Sequence, residues 1–163
     1  MEVFTWAGKR IARQPLKATI QAGGSQPIGI FDVADLLKGK AEPHEVCLFI
    51  RLRGDGVSHE NFMTLVPWKW MTLPAPEIKV EMIAGENGVE LSVSSKQVIP
   101  FFHAELGNLE GHFHGDWQVL RPGSEVSLEW RPHRERGAKM PTLGEAKKGL
   151  RVMSLYDTYE HAE

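Results

Sequence analysis

Two histidines and an aspartate occupy alternate positions along one short predicted strand. His112, His114 and Asp116 therefore project from the same face of that strand. Imidazole and carboxylate groups at this spacing could form a facial site for a divalent metal ion, with His103 as a candidate third histidine. No distant group of histidines completes the set, so we interpret this face as polar and outward, with Phe113 packed inward. We predict no metal site and no cofactor.

Two pairs of acidic residues lie close together in the sequence. They are Glu105 with Glu110, and Asp32 with Asp35. Paired carboxyl groups carry out glycoside hydrolysis, one as the acid and the other as the base or nucleophile. Neither pair lies in a recognisable catalytic context, and no nucleophile elbow, phosphate loop or dinucleotide fingerprint is present. We therefore assign no catalytic residue in this chain.

The chain contains five tryptophans, and exposed aromatic rings are a common means of stacking against sugars. Trp117 lies beside a predicted turn, so we identify Trp117, Asp116 and His114 as candidate ligand-binding residues for an oligosaccharide. Trp130 alternates with Leu128 on a predicted strand and is expected in the core. For the tryptophans as a group, structural roles are the favoured interpretation.

Trp68 and Trp70 occupy alternate positions of a predicted aromatic strand that runs into a proline-rich stop, Pro74-Ala75-Pro76. Proline has no N–H for a sheet ladder and restricts the residue before it to extended geometry. This segment therefore predicts a junction between two β units, with Trp68 and Trp70 packed between them. The predicted domains are residues 1–73 and 74–163.

Apolar and polar residues alternate with a period of two along most of the chain, as strands with one buried face require. The predicted strands include segments 3–7, 16–20, 46–52, 78–82, 89–93, 126–130 and 150–156. Asn87-Gly88 between two of these strands is a typical hairpin signal. Helical character is limited to residues 31–37, with Asp32 as the N-cap. Residues 131–151 are interpreted as a long basic loop.

Many short strands separated by turns are typical of antiparallel sandwiches. The predicted fold class is all-β, with two immunoglobulin-like antiparallel β-sandwiches in tandem. The first unit provides about five strands where an immunoglobulin-like sandwich usually has seven. We therefore expect the first sandwich to be truncated at its N-terminal side, with further protein upstream of Met1.

Composition excludes several classes of partner and site. The net charge of −2 gives no general attraction to nucleic acid or to an anionic membrane, so neither is predicted as a partner. Cys47 is the only cysteine, which excludes an internal disulfide, and its apolar neighbours predict a small buried side chain. No export signal or membrane span is recognised, so the cytoplasm is the default localisation, although an export signal could lie upstream.

The order of several short motifs resembles the C-terminal immunoglobulin-like region of β-mannosidases in glycoside hydrolase family 2. The second unit resembles the last domain of that region, and residues 3–72 resemble the latter part of the mannosidase sandwich that precedes it. The motifs that carry the resemblance are Asn61-Phe62, Pro67–Lys69, Leu73–Ile78, Gly111–Trp117, Leu120–Glu125 and Leu150–Tyr159. One departure lies at Gly115-Asp116-Trp117, where relatives usually carry an Asp-Asn pair before the aromatic residue.

The resemblance implies a role without catalysis. In this family the two catalytic glutamates lie on a (β/α)₈ barrel that precedes the sandwiches, and this chain is too short to include one. The chain is therefore expected to be an accessory region whose partner is the upstream catalytic domain of the same polypeptide. Two alternatives remain: a carbohydrate-binding module that uses exposed aromatics, and a small autonomous hydrolase. The parent could also be a related family 2 enzyme such as an exo-β-glucosaminidase.

Overall fold

The computed structural model of the chain describes residues 1–54, 56–85, 88–107, 109–133 and 137–159. It divides into two compact units, Met1–Leu73 and Pro74–Glu163. Every strand pairing among these residues is antiparallel. The predicted all-β class is therefore confirmed. No helix in the described part of the chain is long and apolar enough to span a membrane.

The first unit contains a four-stranded sheet with the order β2-β1-β3-β4. Its strands are β1 (Glu2–Thr5), β2 (Arg10–Arg13), β3 (Val46–Gly54) and β4 (Val57–Thr64). A short helix, α1 (Val33–Leu37), begins where the sequence predicts it, because the Asp32 side chain accepts hydrogen bonds from the first backbone amides of the helix. Leu37 of α1 is buried with Val3 and Leu48 of the sheet in one apolar cluster.

Two predictions for the first unit are wrong. Residues 16–20 do not form a strand, and Leu16 and Ile20 are exposed. Their alternation has no partner strand among the described residues, and an unpaired strand is not stable in water. The predicted aromatic strand is also absent, because Trp68–Trp70 is a single 3₁₀ turn that begins directly after Pro67.

The 3₁₀ turn gives the two tryptophans different surroundings. Trp68 packs within its own unit, stacked on Phe62 at 5.8 Å between ring centroids and tilted against Trp6 at 6.5 Å. Trp70 is 63% exposed, and the Lys69 ammonium lies 5.0 Å from the centroid of its ring. The role of Trp68 and Trp70 in interdomain packing stays a prediction.

The second unit is built from two antiparallel sheets. The first has the order β5-β6-β10-β8 and the second the order β11-β7-β9. Their strands are β5 (Ile78–Gly85), β6 (Gly88–Ser95), β7 (Ile99–Glu105), β8 (Gly111–His114), β9 (Gln118–Leu120), β10 (Glu125–Pro132) and β11 (Arg151–Met153). β5 and β6 pair as the predicted hairpin as far as Gly85 opposite Gly88, whereas Asn87 lies outside the described residues.

Both sheets of the second unit contribute to one apolar core. Leu91, Phe113 and Trp130 come from the first sheet, and Phe102 and Leu120 come from the second. The predictions that Trp130 belongs to the core and that Phe113 packs inward are therefore confirmed. Because strand side chains alternate, the neighbours of these residues point away from the core and are available at the surface.

The predicted loop over residues 131–151 is wrong in part, because it contains the helix α2 (Leu143–Gly149). Thr142 and Glu145 form a capping box at its start, in which each side chain accepts from the other's backbone amide. Ala146 is the buried residue of α2. The predicted last strand is also shorter than expected, since a 3₁₀ turn at Leu155–Thr158 follows β11.

Candidate functional site

The turn between β8 and β9 has a constrained backbone. Gly115 has φ +87° and Trp117 has φ +60°, both in the left-handed region. The Gln118 side chain donates a hydrogen bond to the Gly115 carbonyl, which closes the turn. An L-residue in this region costs about 1–2 kcal/mol, so the turn keeps Trp117 in a conformation that an isolated chain would rarely adopt.

Trp117 lies flat on a histidine of another strand, β7. The rings of His103 and Trp117 are stacked, with 4.2 Å between centroids and 18° between planes. The Asp116 carboxylate accepts a hydrogen bond of 2.7 Å from Nδ1 of His103, which fixes the orientation of the imidazole. The His103 and Asp116 side chains are largely covered, at 17% and 14% exposure, whereas Trp117 is 58% exposed.

The position of His103 follows from the alternation of β7. Phe102 and Ala104 point into the core, so His103 points outward from the β11-β7-β9 sheet. Phe102 is opposite Gln118 on β9, which brings the turn that carries Trp117 beside this face. The described residues Trp117, His103 and Asp116 thus form one group, which we call the Trp117 platform.

An ion pair lies beside the Trp117 platform on the same face of the sheet. Glu105 follows His103 by two residues on β7, and Arg151 lies opposite Glu105 on β11. Nη1 of Arg151 is 3.8 Å from Oε1 of Glu105, and the Arg151 side chain is highly exposed. We call this pair the charged rim of the platform.

The structure joins two of the three predicted ligand-binding residues. The described hydrogen bonds and ring contacts connect Asp116 and Trp117 with His103, and none of them includes His114. His114 lies on β8, in the other sheet, opposite Glu129 of β10. Its proposed part in ligand binding stays a prediction.

The histidines considered as metal ligands lie in two places. His103 belongs to the Trp117 platform, whereas Nδ1 of His112 lies 3.3 Å from Nε2 of His133. Among the described residues, no cluster of three or more histidine, cysteine or acidic side chains could hold a metal ion. The alternation on β8 does place His112 and His114 on the same exposed face, opposite Phe113.

Two of the four acidic residues considered as catalytic pairs, Asp32 and Glu105, make described side-chain contacts. Asp32 caps α1, with its Oδ1 accepting from Ala34 N at 2.8 Å and from Asp35 N at 3.3 Å. Glu105 forms the ion pair with Arg151. Asp32 thus stabilises the start of α1, whereas the exposed Glu105–Arg151 pair contributes little to stability.

The single thiol is buried and unreactive. Cys47 has no exposed surface, and burial raises the pKa of its thiol to about 12. The thiolate is the nucleophilic form, so Cys47 stays protonated and inert at neutral pH. The predicted small buried side chain is confirmed.

Comparison with known proteins identifies both units. A family model described as an Ig-fold domain, Ig_mannosidase, matches residues 73–158. A second model, described as a mannosidase Ig/CBM-like domain, matches residues 1–69. The two matches confirm the predicted tandem of immunoglobulin-like domains and the resemblance to the mannosidase region. No curated protein matches the chain.

Proposed function

Because the chain belongs to the Ig-fold domain family of mannosidases, we propose that it is the non-catalytic C-terminal accessory region of a β-mannosidase-like glycoside hydrolase of family 2. The observation that carries this proposal is the order of the two matches. A mannosidase Ig/CBM-like domain over residues 1–69 is followed by the Ig-fold domain over residues 73–158.

In this proposal, catalysis belongs to a (β/α)₈ barrel upstream in the same polypeptide, and the two β units pack against it and support it. The structural roles of the acidic residues favour this division of labour. The Asp32 carboxylate caps α1, and the Glu105 carboxylate forms an ion pair with Arg151. Neither of these contacts places the carboxylate beside a second carboxylate, as a catalytic pair requires. The identity of the glycoside is determined by the barrel, and a related family 2 enzyme such as an exo-β-glucosaminidase is the alternative parent.

The proposal is tested on the coding sequence upstream of Met1 and on the polypeptide that it encodes. We expect an in-frame barrel with a catalytic glutamate at the end of each of two strands. Deleting the two β units from that polypeptide should lower its Tm and its soluble yield, because apolar surface of the barrel then becomes exposed. A reading frame without a barrel, or a deletion that leaves Tm and yield unchanged, would contradict the accessory role.

A further inference from the structure

We propose that the second unit binds a pyranose ring of an oligosaccharide on the Trp117 platform. This inference goes beyond support of a catalytic domain, because support does not require an aromatic ring held open to solvent. Trp117 forms the contact surface, His103 and Asp116 support that surface, and the charged rim forms hydrogen bonds with the sugar.

Trp117 is exposed and held in place at the same time. One face of its indole lies on His103 at 4.2 Å, so its exposed area of 58% comes mainly from the opposite face and the ring edges. Asp116 orients the His103 imidazole, and the left-handed backbone conformation of Trp117 fixes the direction in which its side chain leaves the main chain. A ligand that stacks on such a ring has little side-chain motion to restrict, which favours binding.

The chemistry of this surface fits a sugar ring. One face of a pyranose presents C–H groups, which carry partial positive charge, and the face of an aromatic ring carries partial negative charge. The hydroxyls around the sugar need donors and acceptors at the edge of the aromatic ring. Glu105 supplies an acceptor and Arg151 supplies donors about 7 Å along the strand from His103, a separation that follows from two residues of β-strand rise.

A neutral saccharide fits the platform better than a protein surface does. Aromatic anchors of protein interfaces lie near the centre of an apolar patch from which charged residues are depleted. The surface beside the support of Trp117 is mixed instead, because Met153 lies opposite His103 on β11 and is 38% exposed, and the Glu105–Arg151 ion pair lies two residues further along the strands. The two charges of the rim are opposite in sign, so it favours a ligand with hydroxyl groups over one with a net charge.

The test is a titration of the whole chain with β-1,4-mannohexaose, followed by ¹H–¹⁵N NMR of the five indole N–H signals. We expect a saturable shift of the Trp117 indole, with an affinity in the millimolar range or tighter. Trp117→Ala should weaken binding about tenfold, the upper range for one aromatic contact. Trp117→Phe, which keeps an aromatic face, should retain part of the affinity.

The chain supplies a matched control for exposure. Trp70 is as exposed as Trp117, but the Lys69 ammonium lies over its ring, and none of the described ring contacts joins it to a histidine. Trp70→Ala should leave the titration unchanged. Asp116→Asn should weaken binding and broaden the Trp117 indole signal while the other indole signals stay sharp, because it removes the charge that orients His103. A purely structural Asp116 would not affect the Trp117 signal selectively.

Several results would overturn the proposal. One is the absence of any indole shift with mannohexaose or with cellohexaose up to about 10 mM, since binding would then be weaker than the expected millimolar Kd. Another is a titration that Trp70→Ala abolishes and Trp117→Ala does not. Protection of Trp117 by the upstream barrel without any response to oligosaccharide would make the platform a protein interface. That last result would leave the accessory role standing, so the two proposals fail separately.

Discussion

Substitution of Gly111 by alanine is expected to destabilise the second unit strongly. Gly111 lies on β8, the strand that leads into the Gly115–Trp117 turn. A Cβ atom at this position would lie 2.4 Å from Cζ2 of Trp130 and 2.5 Å from the carbonyl oxygen of Arg131. Carbon atoms pack at about 3.5–4.0 Å, so the ring and the backbone would each have to move by about 1 Å.

Trp130 has little room for that movement. It is almost fully buried, and its ring packs edge-on against Phe113 with 5.2 Å between centroids. Overpacking of this kind costs about 1–3 kcal/mol, and we expect Gly111→Ala to lie at the upper end because one of the crowded atoms is backbone. With a shift of about 4–8 °C per kcal/mol for a domain of this size, the Tm of the unit should fall by about 12 °C or more.

Gly144→Ala provides the matched control for this experiment. Gly144 is exposed near the start of α2, and a Cβ there would meet no atom within 4 Å. Alanine restricts the unfolded chain at this site and favours the helix, so we expect stabilisation by about 0.5 kcal/mol. Urea unfolding followed by tryptophan fluorescence measures both variants. A Gly111→Ala variant within about 0.5 kcal/mol of the parent would refute the packing argument.

Two other predictions concern the first unit. Asp32→Ala should lower the unfolding free energy of the first unit, measured in urea, by about 1 kcal/mol, because Asp32 accepts the two capping hydrogen bonds. Asp35→Ala should lower it much less, and equal losses in the two variants would contradict the capping role. Cys47 should resist Ellman's reagent at pH 8 in the folded chain. Because burial raises the pKa of Cys47 from 9.0 to about 12, its contribution to stability is complete below pH 9 and falls as pH rises from 9 to 12. Unfolding titrations over that range should show a flatter decline in Cys47→Ala, and an unchanged slope would contradict a buried neutral thiol.

The strands of the second unit were predictable because their signal is local. Val126–Trp130 and Val89–Val93 alternate with a period of two, and each pairs with a neighbour that buries the apolar side. The same alternation at residues 16–20 predicted a strand that is absent, since a strand depends on a partner that the pattern itself does not reveal.

The errors at α2 and at Trp68–Trp70 have a different cause. Glycines and prolines around residues 137–149 suggest a loop, but the Thr142 and Glu145 capping box is a helix-start signal that outweighs them. In Trp68–Trp70, alternating tryptophans suggest a strand, whereas Pro67 initiates a 3₁₀ turn. In both segments a local stop or start signal decides the conformation, and the apolar pattern does not.

The sequence identifies two of the three residues of the Trp117 platform as candidates for ligand binding. Trp117 and Asp116 were identified because they lie beside a turn. The sequence does not identify the stacking of His103 on Trp117, since that contact depends on the pairing of β7 with β9. No spacing between His103 and Trp117 encodes that contact. A histidine at an outward position of a strand was the one available signal, and it suggested a metal ligand.

The accessory role is tested most directly by the hydrolysis of an aryl β-mannoside by the purified chain. We expect no release of the aryl alcohol above the buffer rate, with Glu105→Gln and Glu110→Gln indistinguishable from the parent. The folded state of each sample is checked by tryptophan fluorescence. Turnover by the parent chain that disappears in Glu105→Gln would contradict the accessory role, because it would place a catalytic carboxylate within this chain.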